Sequence, residues 1–302
     1  MHAVQHHHIT KDILAGVIMT MLLILGAVTA LLVPLPILYY RIKLGRKNSL
    51  IIPAVIMLML VFLSRGAASG LLVFSGWMFL GFLLGECFEL RLSIEKTILF
   101  SSIAVFISGC SVLLFYSNVS QSGIYELASG QMKLFMSYLM DAGLIEDAPD
   151  QLVHMVTCML PGIIAATILF VSWLNVILAM PILKRNHLAV PDFGSLDLWK
   201  APEYFVWVVI GGVFGLIVQL EPVFLFSMNV MIVMVLLYFF QGISIVSFFV
   251  KKTKIPVGLR ALLYWLIFFQ FPVNLMVTGV GFFDMWANFR TRSLKKSGNT
   301  DE

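Results

Sequence analysis

The residues of this chain best placed to do chemistry are uncharged amides set in apolar runs. Asn175 lies deep in 152–183, with Ser172 and Trp173 beside it; Gln241 and Gly242 interrupt 222–250; Gln270 and Asn274 flank Pro272 in 261–283. An amide inside a membrane span is costly unless it is partnered or lines a cavity. Glycine or proline beside it frees backbone carbonyls, as in the broken helices that build transporter sites. Two readings follow. Asn175, Gln241, Gly242 and Asn274 line a small-molecule pocket, or the amides are helix-to-helix hydrogen bonds worth about 0.6 kcal/mol each.

The missing chemistry narrows the field further. No charge occupies a mid-span position, since Glu86 sits near a helix end and Glu221 in a turn. That argues against a proton-relay pump or a channel with a carboxylate ring. There is no P-loop, GxGxxG or HExxH motif. Within the spans we find no paired carboxylates and no nucleophile–base pair, so no catalytic residue is assigned and a non-enzymatic role is expected. Three cysteines without a CxxC pair argue against zinc or a disulfide framework. His2, His6, His7 and His8 form an N-terminal cluster without carboxylates, which reads as incidental before it reads as a metal arm. No metal and no cofactor is expected.

The elements that position the amides are membrane helices. Of the 302 residues 60% are apolar and only 12% charged, against about 25% charged in soluble domains. Eight stretches carry no Asp, Glu, Lys or Arg: 13–40, 48–64, 66–85, 97–125, 151–183, 204–220, 222–250 and 261–283. They make up about two thirds of the chain. A spanning helix needs about 20 apolar residues, so the fold class is an all-α polytopic bundle in a lipid bilayer. Eight spans are expected, or nine if 13–40 makes two passes around Gly26. The runs are continuously apolar, which is not the alternation of a β-barrel. Residues 1–302 read as a single integral membrane domain. The first run is too long for a signal-peptide core and is expected to stay as an anchor. The net charge of +4 reflects basic loops at a membrane and no nucleic-acid partner.

Lys and Arg orient the spans. Loops 41–47, 89–96, 184–203 and 251–260 hold thirteen of the 20 basic residues and are assigned to the cytoplasm. Segment 117–151, with five acids and one Lys, is assigned outside. Its near-helical apolar spacing predicts an amphipathic helix that is either a solvated connector or a cap on the bundle. The basic tail within 284–302 conflicts with a single crossing at 261–283. Either Gln270-Phe271-Pro272 marks a break that turns the segment back, or the tail is an exception. Gly66-x-x-x-Gly70, Gly81-x-x-x-Gly85 and Gly211-x-x-x-Gly215 predict close helix packing, within the bundle before between copies of the chain. Trp199 in loop 184–203, with Trp286 and Arg290 near the tail, are candidate partner-docking residues. An interfacial anchor is the alternative for that loop, since Trp and basic residues commonly sit at headgroup level.

Five patterns in order carry a resemblance. They are Val33-Pro34-Leu35-Pro36 leading to Arg41 and Gly45, and Leu174-Asn175-Val176 leading to Leu183-Lys184-Arg185. Then come Leu198-Trp199-Lys200-Ala201-Pro202, and Phe240-Gln241-Gly242-Ile243-Ser244 with Phe248-Phe249. The last is Gly281-Phe282-Phe283-Asp284-Met285-Trp286, closed by Asn288-Phe289-Arg290. Together they resemble the YybS-like predicted multi-pass membrane proteins of bacteria, a domain of unknown function. That family is distantly similar to the substrate-binding subunits of energy-coupling-factor transporters. The resemblance implies a compact bundle in the bacterial inner (cytoplasmic) membrane. It would bind a small molecule and be energised by a separate protein, having no ATPase of its own. The alternative is a membrane scaffold that docks cytoplasmic machinery through its basic loops and tail.

Overall fold

A computed structural model describes residues 2–24, 29–63, 68–218, 220–253 and 255–292. Eleven α-helices follow one another among them: α1 (His2–Ile24), α2 (Pro34–Ser49), α3 (Ile51–Leu63), α4 (Ala68–Glu89), α5 (Ile94–Ser120), α6 (Ile124–Asp141), α7 (Asp150–Arg185), α8 (Phe205–Ile217), α9 (Glu221–Lys252), α10 (Val257–Phe269) and α11 (Phe271–Ala287). Short 3-10 turns occupy Thr29–Leu32 and Leu196–Leu198. No strand occurs among the described residues. Starts and stops follow local chemistry. Pro34, Pro222 and Pro272 stand in the first turns of α2, α9 and α11, where a missing N–H costs nothing. In α9, Glu221 opens and Lys251 and Lys252 close the helix, each charge opposing the helix dipole.

Four helices are long and apolar enough to cross a bilayer, or up to six if each of two bent pairs counts as one span. The bent pairs are α2 with α3, at 85°, and α10 with α11, at 95°. The expected eight exceeds this for a physical reason. Apolar runs such as 48–64 and 204–220 fold as 13-residue helices, each about 20 Å long against a hydrocarbon core of about 30 Å.

The chain divides into two compact units: Met1–Leu127 with Thr167–Phe193, and Ala128–Ala166 with Gly194–Glu302. In the first, α1 and α2 run antiparallel, with Lys43 2.6 Å from Asp12 and Gly16 under the Tyr40 ring. Run 13–40 is therefore broken into two segments; Gly26 itself lies outside the described residues. α4 runs parallel to α2. A Cβ on Gly81 would meet the Pro34 backbone and one on Gly85 would meet Arg41, so this glycine pair packs as its spacing predicts. Val17, Val33, Ile37, Ile52, Ile56 and Met78 form the core.

In the second unit α8 and α9 make an antiparallel hairpin, Gly215 against Ser227 and Gly212 against Met231. The packing face thus uses Gly212 and Gly215, while Gly211 faces open space. The break before Pro272 is present, with Gln270 extended between α10 and α11. Lys251 lies 3.5 Å from Asp197, and Arg290 donates to the Asp197 carbonyl. Both ends of the α10–α11 pair therefore lie at one end of the unit. Arg290 and Lys251 thus both reach Asp197, because the segment turns back at Gln270. Lys295 and Lys296 lie outside the described residues.

Segment 117–151 contains α6, of which only Met136 is buried. Leu134, Phe135 and Tyr138 are exposed. Phe62, Phe115, Trp207, Phe214 and Phe226 are also exposed on other helices. Such surfaces suit lipid, not water.

Candidate functional site

The densest polar arrangement forms at the loop end of the second unit. It begins with two glycines. Gly242 of α9 has no room for a Cβ against the Val277 carbonyl, and Gly281 of α11 has none against the Tyr238 carbonyl. Their absent side chains let the two backbones touch. One turn beyond Gly281, Asp284 is wholly buried. Asn288 then adopts a left-handed conformation (φ 46°) and turns the chain back on its own helix. As a result Phe289 N donates to Asp284 Oδ1 at 2.9 Å and Arg290 Nη2 donates to Asp284 Oδ2 at 2.8 Å. Both carboxylate oxygens are satisfied.

Arg290 spends its other terminal nitrogen on the preceding loop. Nη1 donates to Trp199 O (2.8 Å), Asp197 O (3.1 Å) and Ser244 Oγ (3.1 Å). Ser244 Oγ also lies 2.9 Å from Leu196 O. Gln241 Oε1 accepts from Ala201 N at 3.1 Å, and Lys200 Nζ donates to Asn288 Oδ1 at 2.8 Å. A charge pair, an amide and a hydroxyl thus bind the loop 196–201 to α9 and to the end of α11. Three of the five sequence patterns meet in this one cluster.

The first unit has a second buried arginine. Arg41 in α2 is 1% exposed. Its Nε and Nη2 reach Glu86 Oε1 at 2.8 Å, Nη2 also pairs with Glu89, and the guanidinium stands 5.6 Å from the Phe82 ring centre. Arg46 approaches Glu86 at 3.4 Å. Arg41 belongs to the basic segment 41–47, and the structure makes it a helix-to-helix tie between α2 and α4.

The four residues expected to line a pocket fall in two units and have separate local partners. Asn175 belongs to the first unit; Gln241, Gly242 and Asn274 belong to the second. Asn175 Nδ2 donates to Leu31 O (2.9 Å) and Val171 O (2.7 Å), pinning the 3-10 turn to α7. Gln241 staples the loop, Gly242 is a packing contact, and half-buried Asn274 joins the first turns of α11 through its backbone. Asn175 Oδ1 and Gln241 Nε2 are buried without a partner among the described residues. Of the docking candidates, Trp286 is 56% exposed, Trp199 is half-buried with its carbonyl in the Arg290 cluster, and Arg290 is 3% exposed. Nη1 and Nη2 of Arg290 bond inside the fold, while its Nε is buried without a partner among the described residues. The ring nitrogens of His2, His6, His7 and His8 lie outside the described residues.

Sequence reasoning passed over Asn229. Pro161 in α7 has no N–H and loosens the helix around it. At that kink Asn229 of α9 takes the place of a peptide group. Gly162 N donates to its Oδ1 (2.6 Å), and its Nδ2 donates to Cys158 O (2.9 Å). Those two backbone groups would otherwise bond each other across one helical turn. The available signal was a second amide, besides Gln241, in the charge-free run 222–250, with Pro161-Gly162 in another. Nearby, His154 Nε2 stands 3.0 Å from Glu221 and 3.9 Å from Cys158 Sγ. Both neighbours face the same ring nitrogen. Among the described residues no group of three or more His, Cys, Asp or Glu is placed to hold a metal ion, and Cys87, Cys110 and Cys158 are free.

Beside the Arg290 cluster lies an open apolar cavity of about 410 Å³. Val246 and Val250 of α9, Thr253 just past its end, Leu263 of α10, Val280 of α11 and Phe289 line it. The bend between α10 and α11 leaves this space.

The apolar helices and their breaks define an all-helical, multi-pass membrane protein that sits in a lipid bilayer. The family described as "Predicted membrane protein (DUF2232)" matches residues 13–285, and the chain belongs to it. No curated protein and no solved structure matches the chain.

Proposed function

We propose that the protein is a non-enzymatic, transporter-like bundle of the bacterial cytoplasmic membrane. It binds a small molecule and relies on a separate protein for energy. The observation that carries this reading is the 410 Å³ cavity between α9, α10 and α11, a size typical of small-molecule sites. It is bounded by a helix pair broken at 95°. The resemblance to YybS-like proteins, and through them to energy-coupling-factor binding subunits, supports the same reading by analogy. In it Gln241 and Gly242 brace one wall and do not touch the ligand.

The chain path in this proposal changes sides eight times, along α1 to α5 and α7 to α9, with α3 and α8 as short helices in a locally thinned bilayer and α10–α11 as a re-entrant pair. Parallel α2 and α4 support it, because α3 must carry the chain back between them. All the basic loops and the tail then share the cytoplasmic side, and α6 lies outside. Labelling of His187→Cys from the cytoplasm and Gly143→Cys from outside checks this; the reverse pattern contradicts it.

A scaffold role has one observation in its favour. The Arg290 cluster holds loop 196–201 rigid while Leu198 and Trp286 stay exposed. Mild purification from native membranes, with mass spectrometry of small molecules and proteins, decides between the two. A stoichiometric small molecule, lost in Leu263→Trp, supports the cavity reading. A stoichiometric soluble partner without any small molecule contradicts it in favour of the scaffold.

A further inference from the structure

We infer that the cavity between α9, α10 and α11 holds one acyl chain of an anionic membrane phospholipid, with its phosphate on Arg260. This rests on the small-molecule reading and names the ligand class.

The wall selects for hydrocarbon. Val246, Val250, Leu263, Val280 and Phe289 are apolar, and the Thr253 hydroxyl is turned to its own helix, donating to Phe249 O at 2.8 Å. Among the described residues no polar group along the wall is free to recognise a sugar, an amide or a metabolite's charges. From Val246 to Thr253 the groove follows α9 for about 10 Å, a length suited to the upper part of a fatty chain.

The mouth selects for an anion. Ile255 lines it, and its carbonyl accepts from Arg260 Nη2 at 3.2 Å. That bond holds an exposed guanidinium at the rim. Among the described residues Arg260 makes no ion pair, whereas Lys251 is drawn away towards Asp197. A guanidinium carries five donors in a planar fork, so most remain for a bidentate phosphate contact. The segment 251–260 carries four basic residues and no acid, and basic sites beside membrane helices recruit anionic headgroups. The apolar groove and the cationic rim together match an amphiphile with one negative head. The bilayer supplies such a molecule as an anionic phospholipid.

The test uses the full chain, delipidated in mild detergent and offered equimolar phosphatidylglycerol and phosphatidylethanolamine with identical acyl chains. Bound lipid is then counted by native mass spectrometry. The wild type should retain one phosphatidylglycerol, favoured about fivefold, the effect of one basic residue near the headgroups. Arg260→Gln, a surface change that leaves packing untouched, should erase the preference but keep the lipid. Leu263→Trp should fill the groove and release both lipids while the protein stays monodisperse. Equal retention of the two lipids by wild type, lost in Leu263→Trp, overturns the phosphate assignment and leaves the cavity reading standing. Retention that survives Leu263→Trp overturns the acyl-chain site. Loss of all retention in wild type, with no small molecule on protein purified from native membranes, overturns both.

Discussion

Two arginines are buried among the described residues, and they are buried differently. Arg41 joins helix to helix. Its partners Glu86 and Glu89 come from α4, and the Glu89 side chain is 64% exposed, so water still reaches one arm of the cluster. Arg290 joins a chain end to a loop. Its partner Asp284 lies six residues back and is 0% exposed, and the other acceptors are loop carbonyls and the Ser244 hydroxyl. The first cluster is a tie with a solvated edge; the second is sealed. Removing one member of a sealed pair strands a charge that nothing nearby can solvate. At a solvated edge, water replaces the lost partner at little cost.

The largest effect is therefore expected at Asp284. Asp284→Ala strands Arg290 and should cost about 3–5 kcal/mol, read as a fall in unfolding free energy in detergent micelles. It should also open loop 196–201 to proteolysis. If the loop stays protected and stability is unchanged, the two clusters do not differ as described. Next comes Gly281→Ala, which pushes a methyl into the Tyr238 carbonyl and should cost about 1–3 kcal/mol; a neutral result would mean that α9 and α11 do not touch. Asn229→Leu leaves Gly162 N–H and Cys158 C=O unpaired at the Pro161 kink, at about 1–3 kcal/mol. An unchanged melting midpoint would show that the clamp contributes nothing. The smallest effect belongs to Glu89→Ala, below about 1 kcal/mol. A loss there as large as at Asp284 would erase the contrast between the clusters.

The same contrast explains what could be read in the sequence. Helical class, the break before Pro272, and the grouping of loops 184–203 and 251–260 at one end follow from composition, proline and charge. Each of those is a local signal. Arg41 could not be placed that way. It stands in a basic run that looks solvated, and its carboxylates lie 45 and 48 residues further on. Gln241 was visible as a costly amide, but its partner Ala201 lies 40 residues away, so spacing leaves pocket and staple equally open. Arg290 looked like a free basic residue of the tail. The left-handed turn at Asn288, which folds it inward, depends on the close approach of α9 and α11. Asn229 was overlooked because its role exists only opposite a proline in another helix.

The difference between the sealed and the half-open arginine is tested most directly by a double-mutant cycle on Asp284 and Arg290. Unfolding free energies would be measured for Asp284→Asn, Arg290→Gln and the pair together. The sealed brace predicts that each single change is severely destabilising and that the double is no worse than the worse single, because the stranded partner is gone. Losses that simply add, or an Arg290→Gln protein as stable as the wild type, would contradict it.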